Sequence, residues 1–101
     1  MANYQSEPGK TPRQEGIAVI DVDLASENFN GIVEDIPLSP DTVAHHIFYN
    51  NDLTKAYVTA FGKSVLHIFD MQRFPEEMKT VAVPDCRVGE DLVFADDGNT
   101  W

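Results

Sequence analysis

The chain has 101 residues, of which 43% are hydrophobic and 10% aromatic, and this composition is that of a globular protein with one modest core. Seventeen acidic residues against seven basic ones give a formal net charge of −10, which argues against nucleic acid and anionic membrane surfaces as partners because both repel a negative surface. Cys86 is the single cysteine, so an internal disulfide and a CxxC metal or redox site are excluded.

The first residues predict a flexible polar arm over positions 1–15, interrupted by Pro8, Gly9 and Pro12. This stretch lacks the apolar core of a secretory signal, and no later run has the length that a membrane helix needs. We therefore expect a cytoplasmic protein by default, with a periplasmic location left open.

Residues 16–101 consist of short apolar runs separated by turn residues, and each run is rich in Val, Ile, Phe, Tyr and Thr, the residues typical of strands. No run shows a sustained helical period, so the fold class is all-β. The predicted strands are 17–22, 31–38, 43–49, 55–61, 65–70, 79–83 and 88–94.

Two of these strands are apolar on both faces. In residues 56–61 one alternate set is Ala, Val and Ala and the other is Tyr, Thr and Phe, and residues 65–69 behave in the same way. A sheet with one wet face would alternate polar and apolar side chains. Sheets stacked face to face, as in a sandwich or a propeller, are therefore expected.

A shift of 45 residues aligns the chain with itself: Val43 falls on Val88, and Ile47 falls on Leu92. A period of this length holding four strands is typical of a β-propeller of antiparallel four-stranded blades. Residues 17–38 would end one blade, 43–83 would form a full blade, and 88–101 would begin the next. Two blades cannot close a ring of four to eight, so we expect either a piece of a larger propeller or a chain that closes by self-association.

The adjacent pair His45 and His46 is the sharpest candidate for chemistry. Successive residues of a regular strand point to opposite faces, so the pair is not expected to hold one ion by itself. The first strand of a blade lines the propeller channel, however, and the repeat aligns the pair with Glu90 and Asp91. Imidazole and carboxylate ligands suit copper, zinc or non-haem iron. The alternative is that one histidine packs in the sheet and the other bonds a neighbouring blade.

His67 and Cys86 are weaker candidates for metal binding or for supporting a metal site. His67 lies on a half-buried predicted strand, where a structural role is the commoner one. Arg87 follows Cys86 and would favour its thiolate, but a lone cysteine is more often an inert small residue. The sequence has no glycine-rich phosphate loop and no Ser-His-Asp pattern, so a nucleotide cofactor is not expected.

Residues 55–70, with Tyr57-Val58-Thr59 before a short turn and a second strand ending in Asp70, resemble the YVTN repeat of β-propellers. Residues 17–46, with Val19-Ile20-Asp21-Val22-Asp23, then Ile36-Pro37-Leu38 and the His45-His46 pair, resemble the selenium-binding protein (methanethiol oxidase) family. That family has a Trp-Asn and a cysteine cluster after its histidine pair, and residues 47–50 here differ from it.

The resemblance implies a seven-bladed propeller and a copper-dependent oxidoreductase that acts on a small molecule, with His45 or His46 among the metal ligands and Glu90 or Asp91 as ligands or supporting acids. Two other functions stay open. One is a non-catalytic propeller scaffold that binds a protein or a small molecule. The other is a small self-contained β-domain whose repeat is coincidental.

Overall fold

The computed structural model describes residues 1–7, 9, 14–98, 100 and 101, and these residues contain seven strands and no helix. The strands, in chain order, are β1 (Ala2–Gln5), β2 (Glu15–Ile20), β3 (Ile32–Pro37), β4 (Ala44–Tyr49), β5 (Lys55–Ala60), β6 (Val65–Asp70) and β7 (Met78–Ala82). They form two sheets, in which every neighbouring pair is antiparallel. The all-β expectation is therefore confirmed.

The first sheet has the order β1-β2-β3 and the second has the order β4-β5-β6-β7, so each sheet is a meander of sequential strands. Strands β2 to β7 agree with the predicted runs to within two residues at each end. Neither sheet closes on itself. The meander of β4 to β7 is the four-stranded unit that the sequence predicted for residues 43–83.

The two sheets pack against each other through one apolar face of each. In the second sheet, residues that are paired directly across neighbouring strands have their side chains on the same face. Ala56 is paired with Phe69, and Ile47 with Val58. These pairs meet Ile17 of the first sheet in a common core. The buried members of that core are Ile17, Ile36, Leu38, Ala44, Ala56, Val58 and Phe69.

The opposite face of the second sheet is covered by the C-terminal segment (residues 86–98, 100 and 101). The ring of Tyr57, which is 1% exposed, makes edge contacts with Phe94 and Trp101 at centroid distances of 5.2 and 6.3 Å. The Gly89 N–H also donates to the Ala60 carbonyl at 3.1 Å. The strands of the second sheet are thus apolar on both sides because both sides are covered.

Two expectations need correction. Residues 88–94, all of which the structure describes, form no strand. The C-terminal segment lies across a sheet face and not along a sheet edge, where it could pair with a strand.

Residues 2–5, inside the predicted arm, form β1. Tyr4 anchors this strand, because its hydroxyl donates to Asp35 at 2.7 Å and its ring lies over Gly16. Positions 8 and 10–13 of the predicted arm lie outside the described residues.

Candidate functional site: the histidine bulge of strand β4

A β-bulge in β4 brings His45 and His46 together. Ala44 is paired with Ala60 and Ile47 with Val58, so three steps on β4 oppose two steps on β5. The inserted residue breaks the strict alternation of side chains, which is how bulges redirect residues. The two imidazole centroids lie 3.9 Å apart. The alternation expected of a regular strand therefore does not apply to this pair.

His46 is held by one ring nitrogen. Its Nδ1 lies 2.9 Å from the carbonyl oxygen of Glu90. A carbonyl only accepts, so Nδ1 carries the hydrogen, and in the neutral ring Nε2 keeps its lone pair. Its backbone N–H donates to the Thr59 hydroxyl at 3.1 Å, which replaces the ladder bond that the bulge removes. The ring is thus fixed in orientation, with a nitrogen available as a ligand.

His45 is half-buried and lies against an aromatic ring. Its imidazole stacks on Phe61 with a centroid distance of 3.9 Å and an interplanar angle of 22°. Its Nδ1 is buried and has no hydrogen-bond partner. A buried polar atom without a partner costs free energy, and such atoms are concentrated at sites that bind something else.

Glu90 and Asp91 lie next to His46, although residues 88–94 do not form the strand that the 45-residue repeat predicted. Together with Ile47 and Phe48 they line an open depression of about 450 Å³. Among the described residues, no three His, Cys, Asp or Glu side chains converge closely enough to surround a metal ion. The depression therefore offers the His46 imidazole with two acidic residues in its lining, and the His45 ring lies beside His46 at the bulge, which together make an incomplete ligand set.

His67 lies elsewhere, between the two sheets. It is 1% exposed, its Nδ1 is 2.8 Å from the Thr80 hydroxyl, and its Nε2 is buried without a partner. Burial lowers the pKa of His67 below 6.5; the positive charge of Lys63 lowers it further, while the negative charge of Glu15 opposes the shift. The side chain is a neutral part of the core near neutral pH.

Cys86 is also apart from the histidines. Its thiol donates to the Val88 carbonyl at 3.4 Å, and the residue is half-buried. It lines a mainly apolar cavity of about 180 Å³, whose wall includes Leu66, Leu92 and Trp101. The structure does not bring this thiol into the depression beside His46.

Sequence reasoning missed Glu15, the residue that positions the start of β4. Its side chain is 2% exposed and accepts the backbone N–H groups of Thr42 at 2.8 Å and of Ala44 at 3.0 Å. Asn3 donates to the carbonyl of the same Ala44 at 2.7 Å. The one available signal was an acid two positions before the apolar run at residues 17–20, a pattern that also fits an exposed residue at the start of a strand.

No family model, no curated protein and no solved structure matches this chain. Within the part of the chain that the structure describes, we find no helix with the length and apolar character required to cross a membrane.

Proposed function

We propose that this chain is a module of a β-propeller protein whose histidine bulge binds a transition metal, copper first. The four-stranded meander β4 to β7 has the strand number and order of a propeller blade. It is covered by the first sheet on one face and by the C-terminal segment on the other, as a blade is covered by its neighbours. The open sheets then continue either in further blades or through self-association.

One observation carries the metal proposal: the Nδ1–H of His46 is engaged by the Glu90 carbonyl, which leaves Nε2 free. Metal-binding histidines characteristically donate their other ring N–H to a carbonyl or carboxylate, because that bond fixes the ring and makes the ligating nitrogen more basic. The unpartnered Nδ1 of the adjacent His45 supports a second imidazole ligand. Glu90 or Asp91 would complete the set or hydrogen-bond to it.

Copper fits because two imidazoles with an oxygen ligand suit Cu(II), and copper has the highest affinity of the divalent first-row metals for such sites. A bound copper would supply one-electron redox chemistry, which is the basis for proposing an oxidoreductase related to the selenium-binding (methanethiol oxidase) family. The chain itself would hold and orient the ion and shape the depression beside it.

The test is a calorimetric titration of the full chain with Cu(II) and with Zn(II). We expect one equivalent of Cu(II) to bind more tightly than Zn(II), and the double variant His45→Ala/His46→Ala to lose this binding. Glu90→Gln should weaken it. The matched control is Glu76→Gln, an exposed acid on another loop, which should leave it unchanged. Equal binding by the double-histidine variant would refute the proposal.

A non-catalytic scaffold is the second candidate, and the cavity beside Trp101 favours it. Its lining is mainly apolar and its volume of about 180 Å³ suits a small apolar ligand. Trp101 is the single tryptophan, so its fluorescence reports on occupation of the cavity directly. A chain that binds no copper but whose Trp101 emission shifts on saturable binding of an aromatic probe would be a scaffold.

A further inference from the structure

The hairpin of β2 and β3 ends in a set of exposed apolar side chains, which we call the hairpin patch. Leu24 is 84% exposed, Val22 77% and Ile32 65%. Phe29 is 42% exposed and Ile20 38%. Ile20 is paired with Ile32 across the hairpin. Val33 on the same hairpin is 50% exposed. Single exposed apolar residues are ordinary, but six on one hairpin of a small chain indicate an interaction surface.

The loop that carries Val22 and Leu24 is held by its own polar groups. Asp21 accepts the Ser26 hydroxyl at 2.6 Å and the Asp23 N–H at 2.9 Å, and Asp23 in turn accepts the Ala25 N–H at 2.9 Å. The backbone of Asp21 also pairs with Asn30 and Gly31 at 2.9 Å each. The loop is thus ordered without burying its apolar side chains, so a partner would bear little ordering cost on binding them.

The charge around the patch selects the partner. Residues 14–54 contain no Lys or Arg. Besides the buried Glu15, the acids on this hairpin are Asp21, Asp23, Glu27, Glu34 and Asp35. A second copy that met this patch through its own hairpin would bring the same acids to it and be repelled there, as would an anionic membrane. A surface that is both apolar and acidic matches a segment that is both apolar and basic.

We propose that the hairpin patch is a docking surface for a basic, apolar segment of a protein partner, with Val22 and Leu24 as its anchors. The patch lies at the far end of the first sheet from Glu15 and Ala44, one strand length or roughly 17 Å away. It is therefore separate from the histidine bulge, and this inference does not depend on the proposed metal function.

The test uses a fluorescein-labelled synthetic peptide of leucine and lysine, and a counterpart in which glutamate replaces lysine. Fluorescence anisotropy with the full chain should show saturable binding of the lysine peptide that weakens with added salt, and none of the glutamate peptide. The variant Val22→Ser/Leu24→Ser should raise the Kd about tenfold or more, which corresponds to about 1.4 kcal/mol.

The control variant is Leu53→Ser/Val88→Ser, which removes a leucine and a valine that are 66% and 52% exposed from other parts of the surface. It should bind like the wild type. All four residues are exposed, so both variants should fold, and circular dichroism checks this. Two results would overturn the proposal: equal weakening of binding by both variants, or an unchanged Kd for Val22→Ser/Leu24→Ser. Either result would mean that the basic peptide is attracted to the acidic protein in general and not to the hairpin patch.

Discussion

The carboxylate of Glu15 on β2 accepts the backbone N–H of Ala44, the first residue of β4, at 3.0 Å. Its second oxygen accepts the N–H of Thr42 at 2.8 Å. One buried side chain of the first sheet therefore fixes the backbone from which the histidine bulge of the second sheet begins. The positions of His45 and His46 therefore depend on this bond as well as on their own strand.

Glu15→Gln should destabilise the chain by about 2–3 kcal/mol, because the amide has one oxygen for two buried N–H groups and turns an N–H donor toward the other. Urea unfolding at neutral pH measures this loss. Glu34→Gln on the neighbouring strand β3 is the control: its side chain is exposed, and we expect a change within about 0.5 kcal/mol. Equal unfolding midpoints for Glu15→Gln and the wild type would show that the bridge contributes nothing.

The stability of the chain should fall as the pH drops below about 6.5, because burial lowers the pKa of His67 in the folded state. The unfolded chain then binds a proton at this histidine while the folded chain does not, so protonation favours unfolding. Urea midpoints measured between about pH 7.5 and 5.5 test this.

The variant His67→Phe removes this histidine titration and should flatten the pH dependence in that window, whatever its effect on stability at neutral pH. His46→Gln, which changes an exposed histidine, should keep the slope. If His67→Phe keeps the wild-type dependence of the urea midpoint on pH, other titratable groups cause it.

Gly62→Ala should destabilise the chain by about 1–3 kcal/mol, because a Cβ at this position would clash with the carbonyl oxygen of Asp41. The Gly62 N–H also donates to the Thr42 carbonyl at 2.8 Å, so the backbone cannot move away without losing that bond. Thermal unfolding measures the loss.

Gly89→Ala is the matched control for Gly62→Ala. A Cβ at Gly89 would meet its nearest neighbour, the Ala60 carbonyl oxygen, at an ordinary contact distance of 3.5 Å. We expect little change in its melting temperature. If the two variants unfold at the same temperature, the close approach at Gly62 is not a constraint.

Phe94→Ala should destabilise the chain by about 1–2 kcal/mol, because it uncovers the buried ring of Tyr57 and loosens the C-terminal segment. The emission of Trp101, which contacts the same ring, should move toward that of a solvated indole. Leu53→Ala, at a side chain that is 66% exposed and lies outside the C-terminal segment, should change neither quantity. An unchanged Phe94→Ala protein would mean that the segment does not stabilise the sheet.

The order and bounds of β2 to β7 were predictable because each strand is a run of β-branched and aromatic residues ended by a turn. Strand β1 was not, because Ala2–Gln5 contains a single large apolar residue, Tyr4, and depends on its contact with Gly16 for its place. The run at residues 88–94 has the composition of a strand, but it lies across a sheet face, where it cannot pair with the edge of a strand.

The sequence could single out the histidine pair but not the geometry around it. Glu90 and Asp91 line the depression beside His46 without forming the strand that the repeat predicted, and the bulge at His45 and His46 depends on pairing with β5, which no local pattern reveals. The role of Glu15 likewise arises from a contact between residues 29 positions apart.

The most direct test of the metal site is the electron paramagnetic resonance spectrum of the chain with one equivalent of Cu(II). We expect hyperfine coupling to imidazole nitrogen in the wild type and in Glu76→Gln, reduced coupling in His46→Gln, and none in His45→Ala/His46→Ala. An identical copper spectrum in the wild type and in the double-histidine variant would contradict the assignment of this bulge as a metal site.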